Sequence, residues 1–227
     1  MAIKLLDPSS GISINQRFRE KRFKFFTGLL ASVKPGGKLR ILDIGGEEDY
    51  WQKMNFSEDN NVSITLLNLQ KVKTKNDMFI SIKGDACDLS EFKDNEFDIV
   101  FSNSVIEHLF SKENQKKMAD EARRVGKYYY VQTPNRYFPI EPHWLFPFFQ
   151  FLPFSLRVYL TKNWDLGHYK KAIDKAKAIQ RVNEVKLLTQ NEMVKLFPDG
   201  KVYKEIFGGL TKSITMYRFP DQVSNPG

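Results

Sequence analysis

From Lys38 to Trp51 the chain runs KLRILDIGGEEDYW. Leu39, Ile41 and Leu42 form a short apolar run reaching Asp43, and Gly45 and Gly46 then open a polar turn. This is the pattern of a buried strand entering a tight loop. Glycine has no Cβ, so backbone here can approach a nucleotide-like ligand closely, while the strand-end carboxylate can organise the loop or accept from ligand donors. A lone Gly-Gly pair is equally the mark of an ordinary strand-to-turn junction, so the surrounding chain has to decide.

Before this stretch, Ile14, Phe18, Phe25, Phe26, Leu29, Leu30 and Val33 recur at helical spacing among Arg17, Arg19, Lys21, Arg22 and Lys24. That spacing predicts an amphipathic helix beside the first strand, ended by Pro35, Gly36 and Gly37. After it, Glu47 to Asn60 leaves room for a short helix only. Further strands are expected at Val62–Leu69, Met78–Ile82, Phe97–Phe101 and Tyr128–Gln132, with a helix over Gln115–Val125. A short helix at Asn191–Phe197 and two strands at Lys201–Phe207 and Thr211–Phe219, joined at Gly208-Gly209, close the chain. Strands alternating with helices imply an α/β fold with a doubly wound, mostly parallel sheet. Ligands of such sheets sit at the strand C-terminal ends.

Composition bounds the rest. At 227 residues, 41% hydrophobic and without a low-complexity linker, the chain is expected to form a single domain over 1–227. The single cysteine, Cys87, excludes an intramolecular disulfide framework and is read as a small buried apolar group. The opening MAIKLLDPSS lacks the apolar core of a signal peptide, and no segment has the length of a membrane span, so a cytoplasmic location is expected. A formal charge of +8 permits attraction to phosphates, nucleic acid or anionic membrane; spread evenly, it is only solubility.

The polar residues at successive strand ends, taken with ILDIGG, KGDACDL, FDIVFSNSVIEHL and YYYVQTPN in that order, resemble the class I S-adenosylmethionine-dependent methyltransferases. The resemblance implies a seven-stranded Rossmann-like sheet with an antiparallel last strand and S-adenosylmethionine as cofactor. A nicotinamide-binding loop would want G-x-G-x-x-G opening a full helix, which Gly45-Gly46-Glu47-Glu48-Asp49 does not supply. Carried over by position, the resemblance implies that Asp43, Gly45 and Gly46 line the methionine moiety. Asn68, with Leu69 beside it, would face the ribose, and Asp85, with Ala86, the adenine. Backbone near Ser102 and Asn103 would meet the methionine ammonium. Two departures stand out: Glu47 and Asp49 replace further glycines, and Asn68 replaces the usual acid, giving up charge-assisted strength.

The segment YFPIEPHWLFPFFQFLPF, Tyr137 to Phe154, holds eight aromatics and four prolines in eighteen residues. The prolines forbid one long helix, so the aromatics cannot form one regular stripe. The segment falls in an insert of about 136–185 after the fifth strand. It is expected to be a lid or substrate wall, with a satellite core and an interfacial membrane contact as the open alternatives. Methyl transfer to a hydroxyl gains from a base. His143 is the candidate, with Glu141 to orient it, and His108 the second. No metal is expected. Ubiquinone-pathway O-methyltransferases have a similar Glu-His pair, but here only Glu107 and His108 match and Ser104 stands where a further acid would be.

The reading is a methyltransferase acting on an oxygen of a sugar or glycolipid precursor. TPNRYFPIEPHW and LTKS also resemble a bacterial subgroup associated with surface-polysaccharide assembly. RNA methyltransferase and non-catalytic cofactor-binding scaffold are the alternatives. Nucleic acid is disfavoured because no Asn-Pro-Pro-Tyr-type motif follows the fourth strand. Oligomeric state is left open.

Overall fold

The computed structural model describes residues 14–33, 35–56 and 61–221; the opening MAIKLLDPSS and the side chain of Ile14 lie outside the described residues. Helix α1 (Ile14–Leu30) leads into strand β1 (Leu39–Ile44), then the short α2 (Glu48–Lys53), β2 (Val62–Asn68) and β3 (Phe79–Lys83). Strand β4 (Phe97–Asn103) is followed by a single 3-10 turn (Ile106–His108), α3 (Lys112–Val125) and β5 (Gly126–Pro134). A small hairpin, β6 (Ile140–Glu141) with β7 (Phe146–Pro147), precedes α4 (Phe154–Asn163), α5 (Lys175–Glu184) and α6 (Gln190–Leu196). Strands β8 (Lys201–Phe207) and β9 (Leu210–Arg218) end the fold.

Seven strands form one sheet in the order β3-β2-β1-β4-β5-β9-β8. The first five pair in parallel, and β9 runs antiparallel to both β5 and β8. The expected sheet and its antiparallel last strand are therefore present. The two central strands, β1 and β4, are buried on both faces along most of their length, which is why apolar residues stand side by side in them (Ile41-Leu42, Ile99-Val100-Phe101) instead of alternating.

Successive side chains of a strand point to opposite faces, and the two faces have separate cores. Ile41, Ile64 and Ile99 join Phe23, Phe26 and Leu29 of α1 and Trp51 of α2. Leu42, Ile44 and Val100 join Met118, Ala119, Ala122 and Val125 of α3 and Met193 of α6. Helix α1 lies on the first face because Phe23, Phe26 and Leu29 share one side of it; Phe26 is fully buried, edge-on to Phe101 at 4.9 Å and to Tyr130 at 5.2 Å. Truncating such a ring would cost about 3–5 kcal/mol.

The region after β5 makes a third, smaller core. Trp144 stacks on Phe149 at 4.4 Å and donates from Nε1 to Thr161 at 2.9 Å, and Val158, Ala178 and Val182 close around them. The aromatic segment is thus split: Trp144 and Phe149 are buried, while Tyr137, Phe148, Phe151 and Phe154 are exposed.

Candidate active site

At the end of β1 the chain turns at Gly45, whose φ of +73° lies in the left-handed region, and Gly45 N donates to Leu67 O at 2.8 Å. A Cβ on Gly45 would stand 2.5 Å from Val105 Cγ2, and one on Gly46 would stand 1.9 Å from Asp43 Oδ2. Both glycines are required by close packing. Trp51 reaches back from α2 and donates its indole N–H to Asp43 Oδ2 at 2.7 Å. Asp43 is buried, and burial pushes its carboxyl up to about 8 while the Trp51 N–H pulls the other way. The sequence alone assigned Trp51 no role; its place in the short helix just after Asp43 was the available signal.

The neighbouring strand ends supply the remaining candidates. Asn68 donates Nδ2 to Gly46 O at 2.8 Å, so its amide braces the loop and leaves its carbonyl oxygen as an acceptor. Leu69 is exposed, an apolar surface at the rim. Asp85 is also exposed, with Oδ1 accepting from Cys87 N at 2.9 Å. Ala86 is buried in the second-face core and offers no side chain to a ligand. Ser102 is buried with Oγ 3.4 Å from Ile44 O. Asn103 is half-buried, and after it Ser104 (φ +60°) donates from N to Gln132 O at 3.0 Å and from Oγ to Gln132 Oε1 at 2.9 Å. Burial, and then Asp85, push the Cys87 thiol up to about 11, as expected of a non-nucleophilic cysteine.

Beyond β4 and β5 lies a cavity of about 370 Å³. Asn103, Ser104 and Gln132 line it at the strand ends, and Phe18, Phe138 and Phe207 give it an aromatic side. Arg22 and Lys212 also line it, and both meet Glu205: Arg22 Nη1 at 2.9 Å, Lys212 Nζ at 3.6 Å. The hairpin contributes Ile140, Pro142 and Leu145, while His143 turns away to Glu141 and His108.

The structure brings the three candidate catalytic residues together. His143 Nδ1 is 2.6 Å from Glu141 Oε1, and His143 Nε2 is 3.1 Å from His108 Nε2. The buried Glu141 accepts from His143 N and Trp144 N through Oε2 at 2.7 and 2.8 Å, so the hairpin backbone fixes it. Burial opposes the charge of His143, but Glu141 outweighs it and raises its affinity for a proton. Burial, then His143, push His108 down to about 4, leaving it the neutral partner.

Glu107 completes the group. It is fully buried and pushed up to about 7 by burial; Oε2 accepts from Thr133 Oγ1 at 3.0 Å, and Oε1 has no hydrogen-bond partner among the described residues. The sequence reading found only two residues for a cation here; folding adds a third, since one ligand atom each from Glu107, His108 and His143 lies within 4.8 Å of the others. The hairpin, thirty-five residues past His108, was invisible to local pattern.

Residues 55–128 match the family model described as a methyltransferase domain. The chain thus carries a methyltransferase domain, and it is an S-adenosylmethionine-dependent methyltransferase. Among solved structures, the CurJ carbon methyltransferase aligns with this methyltransferase at a TM-score of 0.54 and 10% identity, over 95% of this chain and 56% of that one. The DszA carbon methyltransferase gives 0.52 and 12%, over 90% and 55%. The methyltransferase thus spans about half the length of each, and at these identities the likeness shows the fold. An S-adenosylmethionine-dependent methyltransferase from Aquifex aeolicus is similar at 14% identity over 95% of this chain and 94% of that one, with a TM-score of 0.48. No curated protein matches.

S-adenosylmethionine is the cofactor, and the strand-end residues fit it. The glycine turn keeps its backbone free of side chains against Asp43 and Val105, and Asn68, Leu69 and Asp85 present an acceptor oxygen, an apolar rim and an exposed carboxylate at the neighbouring strand ends.

Proposed function

We propose that this methyltransferase methylates a hydroxyl oxygen of a sugar or glycolipid precursor of surface polysaccharide, in the cytoplasm and in peripheral contact with the inner face of the membrane. The carrying observation is the cavity at the ends of β4 and β5, aromatic on one side and polar on the other, with the Glu141–His143–His108 chain behind its hairpin wall. Aromatic faces suit a sugar ring, and Asn103, Gln132 and Asn135 suit its hydroxyls.

When bound, the cofactor supplies an electrophilic methyl on a sulfonium. The chain's own residues do the rest. Gly45 and Gly46 admit the methionine portion, with Asp43 and Trp51 holding the turn in shape. Asn68 and Leu69 would meet the ribose, Asp85 would take the adenine amino group beside Ala86, and backbone at Ser102 and Asn103 would receive the ammonium. An in-line displacement depends chiefly on aligning the acceptor oxygen, a task for the cavity wall. The acceptor proton goes to His143 Nε2. Glu141 holds the Nδ1–H and stabilises the imidazolium, and the acceptor hydroxyl would take the place that His108 holds at Nε2.

The test is transfer from deuterium-labelled S-adenosylmethionine to a panel of sugar nucleotides and lipid-linked saccharides, read by mass spectrometry. Label found as a methyl ether on a sugar oxygen supports the reading. Label confined to nitrogen, carbon or RNA defeats it.

A further inference from the structure

From Pro142 to Trp164 the sequence PHWLFPFFQFLPFSLRVYLTKNW contains no Asp or Glu, in a chain where Asp and Glu number 27 of 227 residues. The small third core uses only part of the segment's apolar content. Phe148, Phe151, Phe154, Leu156, Tyr159 and Trp164 remain exposed. They follow one another through the turn before α4 and along α4 itself, where Val158 and Thr161 alone are buried. A surface helix normally turns its apolar residues inward, whereas α4 presents them on its outward side as well. So many exposed apolar side chains in one segment mark a contact site.

One cation of the segment is exposed on this surface, and the other, Arg157, is half-buried with its Nε enclosed. Arg157 lies over the Phe154 ring at 5.8 Å, and Lys162 is exposed in the last turn of α4. Tyr159 and Trp164 meet edge-on at 5.5 Å, a pair of amphipathic rings at the C-terminal end of the helix. Aromatic rings with a polar edge favour the headgroup level of a bilayer, and a segment whose only charges are basic favours anionic lipid. No helix among the described residues is long and apolar enough to cross a membrane, so the contact is interfacial.

We infer that the turn before α4 and the exposed side of α4 form a docking surface for an anionic lipid membrane, with Phe148, Phe151, Phe154, Leu156, Tyr159 and Trp164 entering the interface and Lys162 meeting the headgroups. This deepens the reading above, on which its purpose rests: an enzyme held there would meet lipid-linked acceptors where they reside. The binding itself can be measured whether or not transfer occurs.

Tryptophan fluorescence provides the assay. Of the three tryptophans, Trp51 and Trp144 are 0% and 3% exposed and Trp164 is 48% exposed, so a change on docking reports Trp164. The full chain is titrated with phosphatidylglycerol vesicles and separately with phosphatidylcholine vesicles, with co-sedimentation in parallel. The expected result is a blue shift and co-sedimentation with phosphatidylglycerol, at least tenfold weaker with phosphatidylcholine and weakened by salt. A Phe151→Ser/Tyr159→Ser variant should lose binding at least tenfold while keeping its melting temperature and its affinity for S-adenosylhomocysteine. The inference is overturned by absent vesicle binding, by equal binding to both lipids, or by a variant that binds like the parent. A Trp164 shift that instead follows protein concentration without lipid, with a dimer in sedimentation velocity, would assign the surface to a second copy of the chain and overturn it too. Loss of methyl transfer with lipid binding intact would count against the reaction and not against this surface.

Discussion

Replacing Asp43 with Asn should make the protein's stability less dependent on pH, and the size of the effect follows from burial. Asp43 is 2% exposed, and its carboxyl is pushed up from 3.8 to about 8, chiefly by desolvation. Below 3.8 both the folded and the unfolded chain carry the proton, and the folded state keeps the whole advantage of a neutral buried group. As pH rises from there the unfolded chain releases its proton while the folded chain retains it. Stability therefore falls by up to about 1.4 kcal/mol per pH unit until the folded group itself ionises. Between about pH 5 and about pH 8 the ceiling on this loss is roughly 4 kcal/mol. Asn removes the titration and keeps an oxygen to accept the Trp51 indole N–H, seen at 2.7 Å in the parent. Urea unfolding of both proteins across that range measures the difference, in which other titrating groups cancel to the extent that they do not couple to Asp43. The variant should gain on the parent by several kcal/mol toward pH 8. Parallel curves would refute the claim that Asp43 is held neutral by burial.

Asp85→Ala should weaken S-adenosylhomocysteine binding about tenfold, or ~1.4 kcal/mol, by calorimetry; unchanged affinity would remove Asp85 from the site. His143→Gln should lower kcat by about 10²- to 10⁴-fold with S-adenosylhomocysteine affinity intact, and a kcat within twofold of the parent would exclude it as the base. Trp144→Ala should cost about 3–5 kcal/mol in urea unfolding, because the ring is stacked on Phe149 and hydrogen-bonded to Thr161; a loss below 1 kcal/mol would show that the third core contributes little.

The sheet was legible because its central strands are buried on both faces and end in polar residues, a signal carried within a few positions. Boundaries were less legible. Helix α3 begins at Lys112, three residues before the expected Gln115, because its first turn is polar and the start is marked only by Ser111, whose side chain accepts from Asn114 N. Strand β5 runs from Gly126 to Pro134 and not only from Tyr128 to Gln132, its ends held by pairing with β4 and β9 that local composition does not encode. Helix α4 carried no helical period, since its apolar residues lie both inside and outside. At the site, the spacing of Asp43, Gly45 and Gly46 marked a strand-to-turn junction, and their cofactor role came only from the resemblance. The His108–His143 contact, the buried Glu107 and the Arg22–Glu205 pair join residues 35 or more positions apart or depend on the packing around them, and only the fold brings them together.

A glycine turn that seats S-adenosylmethionine should lose the cofactor when a methyl group is added to it. Calorimetric titration with S-adenosylhomocysteine, run on the wild type and on Gly46→Ala, tests it most directly. The added methyl would stand 1.9 Å from Asp43 Oδ2, so the turn must move. Clear binding by the wild type and a loss of at least tenfold in the variant, both proteins retaining the same circular dichroism spectrum, is the predicted result. No heat and no thermal stabilisation of the wild type at millimolar ligand, or equal binding by both proteins, would contradict it.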